Sequence, residues 1–197
     1  GCNAGLSMAR GNYVLFLNPD TELEVDTLAG MLKFMEERPD CGLACCRVLD
    51  EHGQIQKYSL MKAHTIRTSI SDLFFLYKIP GLKYLFPGSA YPLRQFEEEF
   101  APEVVTGAFM LFREQVVRQL NGFDQSFFLY GEDVDLSVRA AGFSQIRYCP
   151  YIRCRHYGHA TLGKGFSRVK YNFLYSSRVS FMRKHHGPKT AAVYQSL

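Results

Sequence analysis

Tryptophan is missing from this 197-residue chain, and its aromatic side chains are sixteen Phe and twelve Tyr, enough for an aromatic interior or cleft. No run of about eighteen apolar residues occurs, which excludes a membrane-spanning helix in the sequence at hand, and no secretory leader is present. The chain is therefore expected neither to be secreted by itself nor to cross a membrane. It opens at Gly1 rather than Met, which reads as a fragment. Charge of one sign is also scarce. A formal +4 suits a phosphate-bearing ligand or an anionic membrane surface but is too small to imply nucleic acid. Six cysteines show none of the spacing of a secreted disulfide framework. Cys45 and Cys46 are adjacent in an apolar run, and small buried thiols in a reducing cytosol are expected. Internal repeats and low-complexity segments are absent.

What the chain does contain is an alternation of strand and helix signals, the mark of an α/β layer structure. The spacing predicts the end of a helix from Asn3 to Arg10. A strand buried on both faces is predicted at Tyr13–Leu17, closed by Asn18-Pro19-Asp20 at its carboxyl end, the edge where open α/β sheets bind ligands. Leu28, Met31, Leu32 and Met35 repeat at helical spacing, and Pro39 is the stop. A strand follows over 42–49, a turn over 50–53, and a short strand near 55–58. Residues 61–100 are irregular. Within them a helical face (Ile66, Ile70, Leu73, Phe74, Tyr77) leads into a basic, aromatic stretch, 73–86, that either packs on its own domain or sits at a membrane interface. Two strand pieces kinked at Gly107 come next, then a helix over 113–120 ended by Asn121-Gly122. Strands are read at 146–149 and 152–156, broken by Pro150, and a final helix at 166–185.

Three carboxylates, Glu132, Asp133 and Asp135, follow Gly131 and read as a helix's first turn, where free N–H groups favour negative charge. Asp135 and Arg139 are spaced as an i,i+4 ion pair, and Asp133 projects from another side. A helix cap with a surface ion pair and a general base at a cleft both fit this stretch. Asp20 similarly reads as a turn cap or a ligand, and His156 as a core histidine or a ligand. A carboxylate with an imidazole suits a divalent cation on a diphosphate and leaves positions open for phosphate oxygens.

The ordered segments Asn3-Ala-Gly5, Ala9-Arg-Gly11, Asn18-Pro-Asp20, Val105-Thr-Gly107-Ala108, Gly122-Phe-Asp124, Glu132-Asp-Val-Asp135, Gly142-Phe143 and His156-Tyr-Gly-His together resemble the family 2 glycosyltransferases of the GT-A fold. The likeness covers nearly the whole chain, most weakly 61–100, and points to the rhamnosyltransferase-like branch that builds O-antigen, capsule and other bacterial cell-wall polysaccharides. It implies a Rossmann-like nucleotide-diphospho-sugar transferase fold, a mixed central sheet flanked by helices, in one catalytic domain. The domain divides into a metal-motif βαβ part (1–60), the irregular segment (61–100), an acceptor and catalytic part (101–165) and a C-terminal helix (166–197).

The same resemblance implies roles. Asp20 and His156 would hold Mg²⁺ or Mn²⁺, with Asn18 where the family's metal motif has its first acid. Asp133 would be the catalytic base, with Glu132 beside it at the acceptor. Asn3, Gly5, Asn18, Asp20, Gly107 and Ala108 fall in the donor site. One base on one face implies a single displacement with inversion at the anomeric carbon. The partners implied are a nucleoside-diphosphate sugar and a glycan or lipid-linked acceptor, met peripherally at the cytosolic face of the cell membrane. The family's nucleoside-binding βαβ unit is expected upstream of Gly1, so nucleotide binding by this chain alone is expected to be poor.

Two rival readings compete. One is a non-catalytic scaffold docking through 73–86 and the C-terminal helix. The other is a zinc site on Cys149, Cys154, His156 and His159, whose spacing lacks the paired loops of structural zinc sites. No motif supports a nucleic-acid role.

Overall fold

A computed structural model describes residues 1–158 and 168–197. His159 and Phe166 lie outside the described residues. In chain order the elements are α1 (Cys2–Met8), β1 (Tyr13–Leu17), β2 (Thr21–Leu23), α2 (Thr27–Glu36), β3 (Cys41–Leu49), β4 (Leu60–Met61), α3 (Ile66–Leu73), α4 (Leu82–Leu85), β5 (Val104–Val105), β6 (Phe109–Arg113), α5 (Glu114–Gln119), α6 (Glu132–Ala141), β7 (Gln145–His156), α7 (Arg168–His186) and α8 (Pro188–Gln195).

Among the described residues the main sheet has five strands in the order β1-β6-β3-β7-β2. Only the β3–β7 pair is parallel, so the sheet is mixed. Alternation along the strands sends side chains to two faces. On β6, Met110 and Phe112 join a cluster with Val117, Leu136 and Ala140 of α5 and α6. Phe109 and Leu111 point the other way, against Met31, Phe34 and Met35 of α2. The central strand β3 has Cys41, Leu43, Ala44 and Cys46 fully buried. Each large apolar side chain buried this way contributes about 1.5–3 kcal/mol.

Several expectations are corrected. Strand β1 is not buried on both faces: Val14 and Phe16 are buried, Tyr13 and Leu15 half-buried, and Leu17 is 37% exposed, because its one described neighbour is β6. Within the first sixty residues β1 and β3, joined through α2, run parallel to each other with β6 inserted between them, antiparallel to both. Near Ile55 there is only a single bridge to Leu49, followed by a 3₁₀ turn at Lys57–Ser59. The backbone turns away there because Gln56 is drawn to His156. Pro150 does not break the late strand. Register passes from Cys46↔Cys149 to Arg47↔Arg153, so Pro150, Tyr151 and Ile152 bulge out and no ladder donor is needed from the proline. The C-terminal region is two helices, parted at Gly187 (φ 87°) with Pro188 opening α8. In segment 61–100 the expected helical face is α3, and the stretch read as loop also holds the short helix α4 and two 3₁₀ turns.

Candidate active site

Helix α6 starts after two left-handed residues, Tyr130 (φ 66°) and Gly131 (φ 82°). Glycine takes that conformation freely, and a Cβ on Gly131 would lie 3.2 Å from the Cβ of Ser177. Tyr130 does so at a cost of roughly 1 kcal/mol. The double turn aims the first residues of α6 at the sheet's edge. Asp133 Oδ2 accepts from the Gly107 N–H at 3.0 Å and Oδ1 from Val134 N–H at 2.8 Å. Burial pushes the Asp133 carboxyl above the usual carboxylate range, only partly opposed by those N–H groups. Glu132 is raised too, by burial and then by the neighbouring charge of Asp133. Its Oε2 is buried without a hydrogen-bond partner.

Two cavities meet at these carboxylates. One, about 590 Å³, is walled by Asn3, Phe16 and Phe128; the other, about 550 Å³, by Gln56, Tyr58, Tyr130, His156 and Lys170. Asn18, Gly107, Glu132 and Asp133 line both. Gly107 sits between β5 and β6, which belong to different sheets, and a Cβ there would come within 3.3 Å of Asn18 Oδ1. Its bare backbone keeps the passage between the cavities open. Ala108, on the second wall, is buried and its carbonyl accepts from Thr21 Oγ1 at 3.1 Å.

His156 comes from the last residue of β7, paired with Thr21 of β2, and Asp20 lies immediately before that strand. Asp20 Oδ1 and His156 Nε2 are 3.2 Å apart. Gln56 holds the ring from behind: its Nε2 donates to the His156 carbonyl at 2.5 Å, which leaves Oε1 to accept from Nδ1–H at 2.9 Å. Nε2 of the ring faces Asp20, with Asn18 Nδ2 3.3 Å from it. The oxygen-plus-nitrogen donor set fits Mn²⁺ or Mg²⁺. Among the described residues no group of three or more His, Cys, Asp or Glu is disposed to hold a metal. Two protein ligands would leave the remaining positions to a bound ligand.

Asn3 borders the first cavity, but its amide is engaged as a two-armed clamp on Phe123, accepting from N–H at 2.9 Å and donating to the carbonyl at 2.7 Å. Gly5 is exposed and lines neither cavity. Asp135 points away from Asp133, as its position in the turn requires. It is not part of a surface ion pair: it is fully buried, bonded to Arg139 (2.8 Å), Lys184 (2.6 Å) and His185 (2.8 Å). Burial would raise its pKa, but these three donors outweigh it and hold the carboxyl below the usual range. Cys149 and Cys154 lie in the core, where the Cys154 sulfur is 3.5 Å from that of Cys46, while His156 faces Asp20. The remaining member of the zinc reading, His159, is outside the described residues.

Gln56 and Lys170 went unmarked in the sequence reading. Gln56 is remote in sequence from the histidine it orients, and no local pattern points to it. Lys170 stands in a helix whose basic, aromatic face has no distinguishing period.

A mixed sheet with carboxylates and a histidine gathered at its edge matches one class of enzymes, the glycosyltransferases. The model of the glycosyl transferase family group 2 matches residues 13–170, and the chain belongs to that family. It is 28% identical over 193 residues to the rhamnosyltransferase WbbL of Escherichia coli, covering 94% of this chain and 69% of that protein. It is 28% identical over 138 residues to the O-antigen biosynthesis protein RfbC of Myxococcus xanthus, covering 70% of this chain and 10% of that one. Among solved structures, GalNAc-T7 with UDP, GalNAc and Mn²⁺ superposes on all of this chain and 37% of its own, with TM-score 0.62 at 13% identity. The fold is GT-A.

Proposed function

We propose that the chain carries the catalytic centre of an inverting glycosyltransferase, moving a sugar, rhamnose by the likeness to WbbL, from a nucleoside diphosphate to a glycan or lipid-linked acceptor in cell-surface polysaccharide synthesis. The observation that carries this reading is the Asp133 carboxylate on the wall shared by two cavities, with His156, 3.2 Å from Asp20, on the wall of the second. The donor's diphosphate lies toward Asp20 and His156, and the acceptor reaches Asp133 past Tyr58 and Tyr130 on the wall of that same second cavity. Asp133 takes the proton of the acceptor hydroxyl as that oxygen bonds to the anomeric carbon, and the bond from that carbon to the diphosphate breaks. With Asp133 as the base and Glu132 beside it holding the acceptor, a single displacement on one face inverts the configuration. The unpartnered Oε2 of Glu132 is suited to receive a second acceptor hydroxyl. Lys170 adds positive charge to the wall near the departing diphosphate. A divalent cation held by Asp20 and His156 would neutralise charge on the leaving group as a Lewis acid. Among the described residues no helix is long and apolar enough to cross a membrane. On this reading a lipid-linked acceptor is met at the cytosolic face of the membrane.

The test is nucleoside-diphosphate-sugar turnover by the full-length protein and its Asp133→Asn variant, with Mn²⁺ or Mg²⁺. Loss of the base is expected to lower kcat by about 10²–10⁴-fold while donor binding persists. Turnover that survives the substitution would remove Asp133 from this role. An intact protein with neither turnover nor metal-dependent donor binding would favour a scaffold.

A further inference from the structure

Segment 62–94 holds five Lys or Arg and one Asp, a net +4 equal to that of the whole chain. The rest of the chain balances to zero. Much of this charge surrounds one cavity of about 700 Å³, lined by Lys57, Lys62, Lys83, Arg94 and Arg178 and a single carboxylate, Asp72. That carboxylate accepts from the Ser89 N–H at 3.2 Å, which directs one of its oxygens into the fold. Lys57 and Tyr58 line this cavity and the acceptor side of the catalytic cleft alike, so the two are neighbours.

Beside the cavity stands an apolar ridge. Phe74 (59% exposed), Phe75 (55%), Ile79 (45%), Tyr84 (79%) and Leu85 (57%) all face outward within a few turns of chain. Stray exposed apolar residues are ordinary, but a cluster like this marks an interaction surface. The ridge is built rigidly. Arg67 donates to the carbonyls of Tyr84 (3.1 Å) and Leu85, and Ser71 Oγ to that of Phe86 at 2.6 Å, which fastens α4 to α3. Phe75 is held outward in a left-handed conformation (φ 54°), with Lys78 over its ring at 4.7 Å. Charge decides what covers it. A second copy packed face to face would set +4 against +4, whereas an anionic bilayer complements both the ridge and its lysines.

We propose that this cavity and ridge dock the chain on an anionic membrane, the ridge entering the lipid interface and the cavity receiving the phosphate headgroup of the lipid that carries the acceptor. The inference rests on the transferase reading for its purpose but is tested apart from it. Co-sedimentation of the full chain, without donor, is measured on vesicles of phosphatidylcholine alone, with added phosphatidylglycerol, and with added farnesyl diphosphate, and again with soluble inorganic diphosphate as competitor. Binding is expected to both anionic compositions and not to phosphatidylcholine. Lys83→Glu and Phe74→Ser, each at an exposed position, are expected to keep the wild-type circular dichroism and to weaken vesicle binding at least about fivefold. Three results would overturn the proposal. One is no preference for anionic vesicles. Another is binding of inorganic diphosphate that Phe74→Ser leaves intact without any vesicle binding, which would mean a free phosphate site. The last is self-association lost in Phe74→Ser without vesicle binding, which would mean an interface between copies.

Discussion

At the scale of single residues, Glu132 shows how a site set up for chemistry weakens its own fold. Burial raises its pKa, so the folded chain prefers it protonated. Its contribution to stability is full below the unfolded value and is lost as pH rises through the folded one. Glu132→Gln is therefore expected to raise Tm by about 2–4 °C at pH 7.5, with the gain vanishing near pH 4, in paired thermal melts. The same direction at Asp133 governs activity: the base works ionised, so kcat/KM should fall on the acid side at a pH above the ordinary carboxylate range. Gln56 offers a separate check on the cation. Replacing it by Ala frees the His156 ring and should lower Mn²⁺ affinity about 10–100-fold, measured by calorimetry with a nucleoside diphosphate present. Unchanged affinity would mean that His156 does not ligate.

Among elements, α6 is the piece whose two sides do different work. Asp133 faces the cleft, while Asp135 fastens α6 to the end of α7 through Lys184 and His185, and Arg139 also donates to the carbonyls of Leu120 and Gly122, tying down the end of α5. Asp135→Ala removes the one buried anion among three donors and should cost about 3–5 kcal/mol in urea unfolding. Asp133→Asn should cost far less. The contrast separates a residue needed for the fold from one needed for the reaction, two positions apart. The sequence showed the ion pair to Arg139, because i,i+4 spacing is local. It did not show the burial of Asp135, because Lys184 and His185 lie on a helix far along the chain. The same physics sorts the other elements. Strands β1 and β3 and helix α2 were legible from apolar periodicity, whereas the continuity of β7 through Pro150 depends on a bulge against β3, a tertiary fact. At the site, the residues alone left Asp20, His156 and Asp133 open between a cap or core role and a functional one, and the resemblance to the family's motifs singled them out with Gly107, while Gln56 belongs to no such motif.

For the molecule as a whole, the packing of α7 against segment 61–66 controls acid stability. His64 is buried against Phe181 and its carbonyl accepts from His186. Burial, aided by Arg178, pushes its pKa down to about 4. The folded chain thus binds fewer protons here than the unfolded one. Stability is full above pH 6.5 and is lost as pH falls toward 4, by up to ~3 kcal/mol. His64→Gln should flatten the Tm profile across that window; an unchanged slope would assign the acid loss to other groups.

The order of strands in the sheet also sets the order in which the protein becomes complete as it leaves the ribosome. Tyr13 must wait for Arg113 and Thr21 for His156 before either strand has the partner it pairs with here. Until β6 emerges, β1 lacks the neighbour it pairs with in this structure, which leaves this apolar stretch open to holding chaperones. Asp20 and His156, the two residues that would share a cation, are brought together by the last strand described to emerge. A chain halted before it has the carboxylate but not the site.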